Sequence, residues 1–181
     1  MSKILVTGPS RSGKSEFAES LAKQASRSIM YIATSAVDPR DQEWQQRLDQ
    51  HRQRRPAHWG TWEIPVALPA AIAKLDSTQW GLVDSLGTWV ANSLETDAKS
   101  WDLTVSQLLS AIRQSTAAGL IFVAEETGWG LVPAYASGRL FRDRLGSLTR
   151  QMGVIADALY LVVAGYALDL KILGQSVERA L

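Results

Sequence analysis

The run from Ile4 to Ser15 confines this chain to a narrow set of folds. An apolar stretch of strand type (Ile4, Leu5, Val6) enters Gly8-Pro9-Ser10-Arg11-Ser12-Gly13-Lys14-Ser15, and an amphipathic helix follows through Phe17, Leu21 and Ala25. Strand, glycine loop and helix in that order make a phosphate cradle. The glycines let successive amide N–H groups turn inward, and the helix start adds the positive end of its dipole. Lys14 brings a mobile charge to the β- and γ-phosphates, and the Ser15 hydroxyl is placed to ligate Mg²⁺.

The 181 residues, 46% of them hydrophobic, suffice for one well-buried core, so a single domain over 1–181 is expected. Nineteen basic against eighteen acidic residues leave a formal charge of +1, and no global field points to nucleic acid. The absence of cysteine excludes disulfides and thiolate metal sites. The longest apolar run, Ala158 to Leu168, is too short to span a membrane, and the N-terminus has no cleavable leader pattern. A cytoplasmic location is expected.

Charge is concentrated locally. Arg40, Arg47, Arg52, Arg54 and Arg55 outnumber Asp41, Glu43 and Asp49, and a second cluster holds Arg139, Arg142, Arg144 and Arg150 against Asp143. Two basic patches and a phosphate loop point to anionic ligands held at defined places.

Along the chain, Ile29 to Thr34 is a second buried strand whose end, Thr34-Ser35, should border the phosphate loop, because ligands of open parallel sheets lie beyond the strands' carboxyl ends. Asp38-Pro39 starts a mostly polar helix carrying Arg47 and His51, which ends at Arg54-Arg55-Pro56. Trp59 to Ile64 is a short extended segment, and a weak helix runs from Ala67 to Leu75. Trp80 to Asp84 is a strand with an acid at its carboxyl end, the place of a Mg²⁺-binding carboxylate. Helices are predicted over Thr88 to Glu95 and over Leu103 to Ala117, the latter capped by Asp102. Leu120 to Glu126 is an interior strand. Gly128 to Pro133 is a loop whose glycines suggest mobility, Ser137 to Asp157 a long helix, and Ala158 to Gly165 a further buried strand. Leu168 to Lys171 is a candidate for one more. The alternation predicts a three-layer α/β domain, P-loop NTPase-like, with a mainly parallel sheet.

His51 and His58 are the only histidines. His51 lies one helical turn after Arg47 and directly before Arg52, Arg54 and Arg55, so a phosphate at its ring would meet several positive charges. Neutral imidazole is a competent nucleophile at phosphorus. His58 has no such setting and reads as structural or exposed. Three readings remain open at this level: nucleotidyl transfer through His51, a small-molecule kinase using the phosphate loop alone, and a nucleotide-dependent regulatory module.

Gly8 to Ser15, Tyr31 to Ser35, and Arg47, His51, Arg55-Pro56, Trp59, Thr61 and Glu63 in series resemble the bifunctional adenosylcobinamide kinase / adenosylcobinamide-phosphate guanylyltransferases of cobalamin biosynthesis. Asp84-Ser85-Leu86 with Trp89 and Asn92, Gly128 to Pro133, Phe141 to Asp143 and Leu161 to Gly165 extend the likeness, in order, from residue 3 to about 171. The resemblance implies phosphorylation of the aminopropanol hydroxyl of adenosylcobinamide by ATP or GTP, then transfer of GMP from GTP to that phosphate through a GMP-histidine at His51. Catalytic roles fall on His51 and Lys14. Nucleotide contacts are implied at Gly8 to Ser15 (Pro9, Ser10, Arg11, Ser12 and Gly13 included), at Ala33, Thr34 and Ser35, at Arg52, Gln53, Arg54 and Arg55, and at Glu63 and Asp84, with Mg²⁺ at Ser15 and Asp84. Homo-oligomers, trimers in particular, are also implied. The chain departs from the family pattern at Glu125-Glu126 (usually Asn-Glu), Ala134-Tyr135 (usually Glu-Asn) and Thr149 (usually Asn). All three departures lie in the C-terminal half, so the resemblance carries over the guanylyl-transfer residues more fully than those of the kinase half.

Overall fold

A computed structural model describes residues 1–36 and 52–177. The predicted polar helix from Asp38 and its His51 lie outside the described residues, as do Arg40 and Arg47. Its predicted end is described: residues 52–54 are helical and the helix stops at Arg55, ahead of Pro56.

The described residues form a seven-stranded sheet in the order β3-β2-β4-β5-β1-β6-β7. The strands are β1 (Ser2–Gly8), β2 (Ser28–Ala33), β3 (Gly60–Glu63), β4 (Gln79–Asp84), β5 (Gly119–Glu125), β6 (Ala158–Val163) and β7 (Tyr166–Asp169). Every neighbouring pair is parallel except β6 and β7. The continuous apolar runs read in the sequence are strands covered on both faces, with alternate residues serving opposite layers. Leu5, Leu120 and Phe122 join one core, and Val6, Ile121 and Val123 the other.

The helices are α1 (Lys14–Gln24), α2 (Leu68–Ala73), α3 (Leu86–Ala91), α4 (Ala98–Gln114), α5 (Ala136–Ile155) and α6 (Leu170–Leu173). Ala18 and Ala22 of α1 pack on the Val6 side. Leu68, Leu86, Leu108 and Leu148, from α2 to α5, pack on the Leu5 side. The expected three-layer α/β architecture is thus present.

Some boundaries differ from expectation. The fourth helix begins at Ala98, capped by Asp97, whose carboxylate accepts from Ser100 N at 3.1 Å, and Asp102 lies inside it. Trp101 decides the matter, since its ring is buried 5.6 Å from Trp89 and must be carried by the helix. The strand at Ala158 ends at Val163 and is only partly buried. Ala164 (φ 51°) and Gly165 (φ 79°) then turn the chain into β7 as a two-residue hairpin.

Arg144, read with the second basic patch as an anion ligand, is instead buried and structural. It donates to Ser93 O at 2.7 Å and to Thr96 O, and its guanidinium lies 4.9 Å from the Trp101 ring centre. It thereby ties down the carbonyls of the turn that follows α3, where Ser93 O also accepts from Thr96 N at 3.2 Å. Arg139 and Arg142 bind loop carbonyls, at Pro133 and Ala134 for the first and Gly128 for the second, and so tie both ends of the Gly128 to Pro133 loop.

Candidate functional site

The parallel register brings the predicted site residues to one edge. Glu63 pairs with Ala33 across β3 and β2, Ala33 with Asp84 across β2 and β4, and Gly8 with Glu125 across β1 and β5. The phosphate loop leaves β1 here. Gly8 is required by a close approach: a Cβ on it would lie 2.2 Å from Val162 O of β6. Gly13 is required by conformation, at φ 94°. The loop is closed by Ser12 N donating to Pro9 O (3.4 Å) and by Gly165 N of the hairpin donating to Ser12 O (3.1 Å).

Lys14 is buried at the start of α1, and its Nζ donates to Pro9 O at 3.3 Å. The ammonium therefore already sits within the loop that would receive a phosphate. Ser15 Oγ donates to Asp84 Oδ1 at 3.5 Å, so the two residues proposed for the metal come together from elements 69 positions apart. A hydroxyl and a carboxylate are hard oxygen donors of the kind Mg²⁺ takes alongside water and substrate phosphate, and the pair fits that ion.

Tyr31 was not predicted as part of the site. Its hydroxyl donates to Asp84 Oδ2 at 3.0 Å, which occupies the carboxylate's other oxygen. Burial, and after it the Asp84 charge, hold the phenol well above its ordinary pKa, so it remains a donor. A buried tyrosine needs a partner for its hydroxyl, and this was the signal available in the sequence.

Residues 52–55 dock on the same edge. Arg52 pairs with Glu63 (3.1 Å), Arg54 with Glu16 and with Glu19 (3.5 Å), and the Arg55 guanidinium lies 3.8 Å from the centre of the Tyr31 ring. Gln53 and His58 are exposed. Glu16 and Glu19 sit on α1 within the turns that follow Lys14 and Ser15. Glu19 is buried, and that burial raises its carboxyl pKa despite the Arg54 charge. Glu19 lies off the Phe17, Leu21 and Ala25 stripe read in the sequence and on the face of Ala18 and Ala22, so helical periodicity carried no signal for its burial.

Thr34 was expected to border the ligand. The structure makes it a strut behind Asp84 instead: it is fully buried, donates to Ser85 O at 2.6 Å and accepts from Ser85 N at 2.9 Å. Ser35 is half-buried and donates to Ala36 O at 3.3 Å. Ser85 caps α3 and donates through Oγ to Glu125 Oε1 at 2.6 Å, which links the ends of β4 and β5. The arrangement brings a glycine-rich loop with its buried lysine, a hydroxyl–carboxylate oxygen pair and a row of arginines to one place.

A sequence profile for cobinamide kinase / cobinamide phosphate guanyltransferase matches residues 4–170. The bifunctional adenosylcobalamin biosynthesis protein CobU of Salmonella typhimurium is 35% identical over 185 residues, covering 93% of this chain and 99% of that protein. CobU of Escherichia coli is 36% identical over 182 residues, at 93% and 99% coverage, and CobP of Pseudomonas aeruginosa is 36% identical over 169 residues, at 92% and 96%. Among solved structures, an ATPase of a bacterial type III secretion system aligns with TM-score 0.57 and 11% identity, over 97% of this chain and 59% of that one. The Pyrococcus horikoshii protein PH0250 aligns with TM-score 0.57 and 7% identity, over 98% and 87%. At such identities the structural likeness concerns the fold alone.

Proposed function

The chain belongs to the cobinamide kinase / cobinamide phosphate guanyltransferase family, and on that premise we propose that it carries out both reactions. In the first, the aminopropanol hydroxyl of adenosylcobinamide attacks the γ-phosphorus of ATP or GTP. The β–γ bridging bond breaks, the nucleoside diphosphate leaves, and the hydroxyl proton is released. In the second, a His51 nitrogen attacks the α-phosphorus of GTP and pyrophosphate departs with the electrons of the broken P–O bond. The phosphate of phosphorylated adenosylcobinamide then attacks the same phosphorus, the P–N bond breaks, and adenosylcobinamide-GDP leaves with the imidazole restored.

One observation carries this reading: the segment that immediately follows position 51 is fastened to the helix that opens the phosphate loop. Arg54 pairs with Glu16 and Glu19 of α1, and Arg55 covers Tyr31, which bonds Asp84. A nucleotide whose terminal phosphates lie in the loop is thus flanked by the arginines next to the proposed nucleophile. Lys14 and the loop amides would stabilise charge on the leaving pyrophosphate or on the transferring γ-phosphoryl. Ser15 and Asp84 would hold Mg²⁺, which when bound neutralises part of the triphosphate charge. Arg52 and Arg54 would exchange their carboxylate partners for the nucleotide.

Residues 1–181 are taken as one domain working as a homo-oligomer in the cytoplasm. Among the described residues no helix is long and apolar enough to cross a membrane. Label transfer tests the chemistry. GTP labelled at the α-phosphorus is expected to tag the protein through an acid-labile, alkali-stable bond, while γ-labelled GTP leaves it untagged and His51→Ala abolishes the tag. Retention of the α-label by His51→Ala would reject the assignment.

A further inference from the structure

The carboxyl ends of β1 and β5, one face of α5 and the segment after β7 enclose a cavity of about 980 Å³ that no step above uses. Its volume is that of a site for a large organic molecule. It adjoins the phosphate loop directly, since Thr7 lines it and Gly8 follows, and Glu126, also on its wall, donates its N–H to Gly8 O at 2.9 Å. On α5 the lining residues Gly146, Thr149 and Gly153 are small, so the helix leaves space where larger side chains would fill it. Two buried polar atoms of lining residues, Thr7 Oγ1 and Glu125 Oε2, have no hydrogen-bond partner among the described residues, and Thr7 is only 7% exposed. Such atoms are costly unless a ligand or water satisfies them. The wall is mixed: Val154, Leu159 and Leu170 are apolar, Arg142, Arg150 and Lys171 are basic, and Glu125, Glu126 and Asp143 are acidic.

We propose that this cavity is the acceptor site and receives the corrinoid, a deepening that rests on the cobinamide reading. The hydroxyl or phosphate arm enters toward Thr7 and the loop, where the triphosphate lies. The apolar wall takes the edge of the macrocycle, and the basic residues meet its amide carbonyls and, after the first reaction, its phosphate. The volume admits the arm and the adjoining edge, with the remainder of the macrocycle outside the mouth. α5, which lines the cavity, packs on the sheet face opposite α1, to which Arg54 is bound, so acceptor and guanosine approach the loop from different sides.

Gly146 supplies the test, because it lines the cavity and a Cβ added there meets no neighbouring element within 4 Å, so a larger side chain can be introduced on that wall. Adenosylcobinamide is titrated into the full-length protein and binding is followed by corrin absorption, with α-labelled GMP transfer measured in parallel. The wild type is expected to bind, and Gly146→Leu to raise the Kd at least tenfold while labelling stays unchanged. Val154→Trp, at the exposed rim, is expected to raise it as well and decides the matter if Gly146→Leu also loses labelling. A Kd unchanged in both variants, or wild-type protein that binds no corrinoid, overturns the proposal. Wild-type protein that binds adenosylcobinamide in the cavity but takes no label from GTP upholds this site and overturns guanylyl transfer instead.

Discussion

The guanidinium of Arg55 lies 3.8 Å above the centre of the Tyr31 ring, and the hydroxyl of that ring holds one oxygen of Asp84. Asp84's other oxygen faces Ser15. The basic segment after position 51 is therefore coupled to the Ser15–Asp84 pair, the proposed Mg²⁺ ligands, through a single aromatic side chain. Removing the hydroxyl leaves the ring and the stacking intact. Tyr31→Phe is expected to lower kcat/KM about tenfold, in keeping with the loss of one hydrogen bond to a charged group, and to shift the Mg²⁺ dependence upward. A Mg²⁺ titration matching the wild type would sever Tyr31 from the metal site.

Lys14 is proposed to serve both reactions, since each would develop charge on a triphosphate held in the loop. Lys14→Ala should reduce α-label transfer to the protein and γ-label transfer to the corrinoid together, each by about a hundredfold or more. Loss of one with retention of the other would mean that the reactions use different phosphate sites.

Arg144 is a structural arginine within a charge cluster that the sequence reads as anion-binding. Arg144→Ala uncovers the carbonyls of Ser93 and Thr96 and removes the cation from Trp101. A loss of about 2–4 kcal/mol in urea unfolding is expected, with label transfer per folded molecule unchanged. An unaltered unfolding midpoint would return Arg144 to the ligand-binding residues.

Two carboxylates predict opposite pH responses. Asp157 accepts from the Lys3 backbone N–H at 2.7 Å, and that bond, with the Lys3 ammonium, lowers its pKa. Its contribution is present above the ordinary aspartate range and fades as pH falls through the lowered value. Asp157→Asn should cost at most about 1 kcal/mol at neutral pH for so exposed a group, and nothing in strong acid. Glu19, with its pKa raised by burial, has the reverse sign: the folded state holds its proton more tightly, so stability declines as pH rises through the raised value. Glu19→Gln should raise Tm at neutral pH, with the gain vanishing below the ordinary glutamate range. Melting curves across pH check both signs.

The central elements were legible because their causes are local. A continuous apolar run before a glycine loop admits little except a buried strand feeding a helix, and β1, β5 and α1 appear where the pattern put them. Relations across the sheet were not legible. Tyr31 and Asp84 are 53 residues apart, and only the β2–β4 register brings them together. Charge composition names arginines without saying which way they point, so Arg144, buried, and Arg150, exposed, read alike. β7 escaped as a strand over its full length because it is an exposed edge with no alternation to betray it. Asp97 and Asp102 both suit a helix cap, and the choice between them was made by the distant packing of Trp101.

The hairpin turn at Gly165 touches Ser12, and Val162 of β6 backs directly onto Gly8. Until β6 and the turn at Gly165 have been made, the glycine loop lacks the wall that closes it, so a chain released only through β5 carries that loop open on the β6 side.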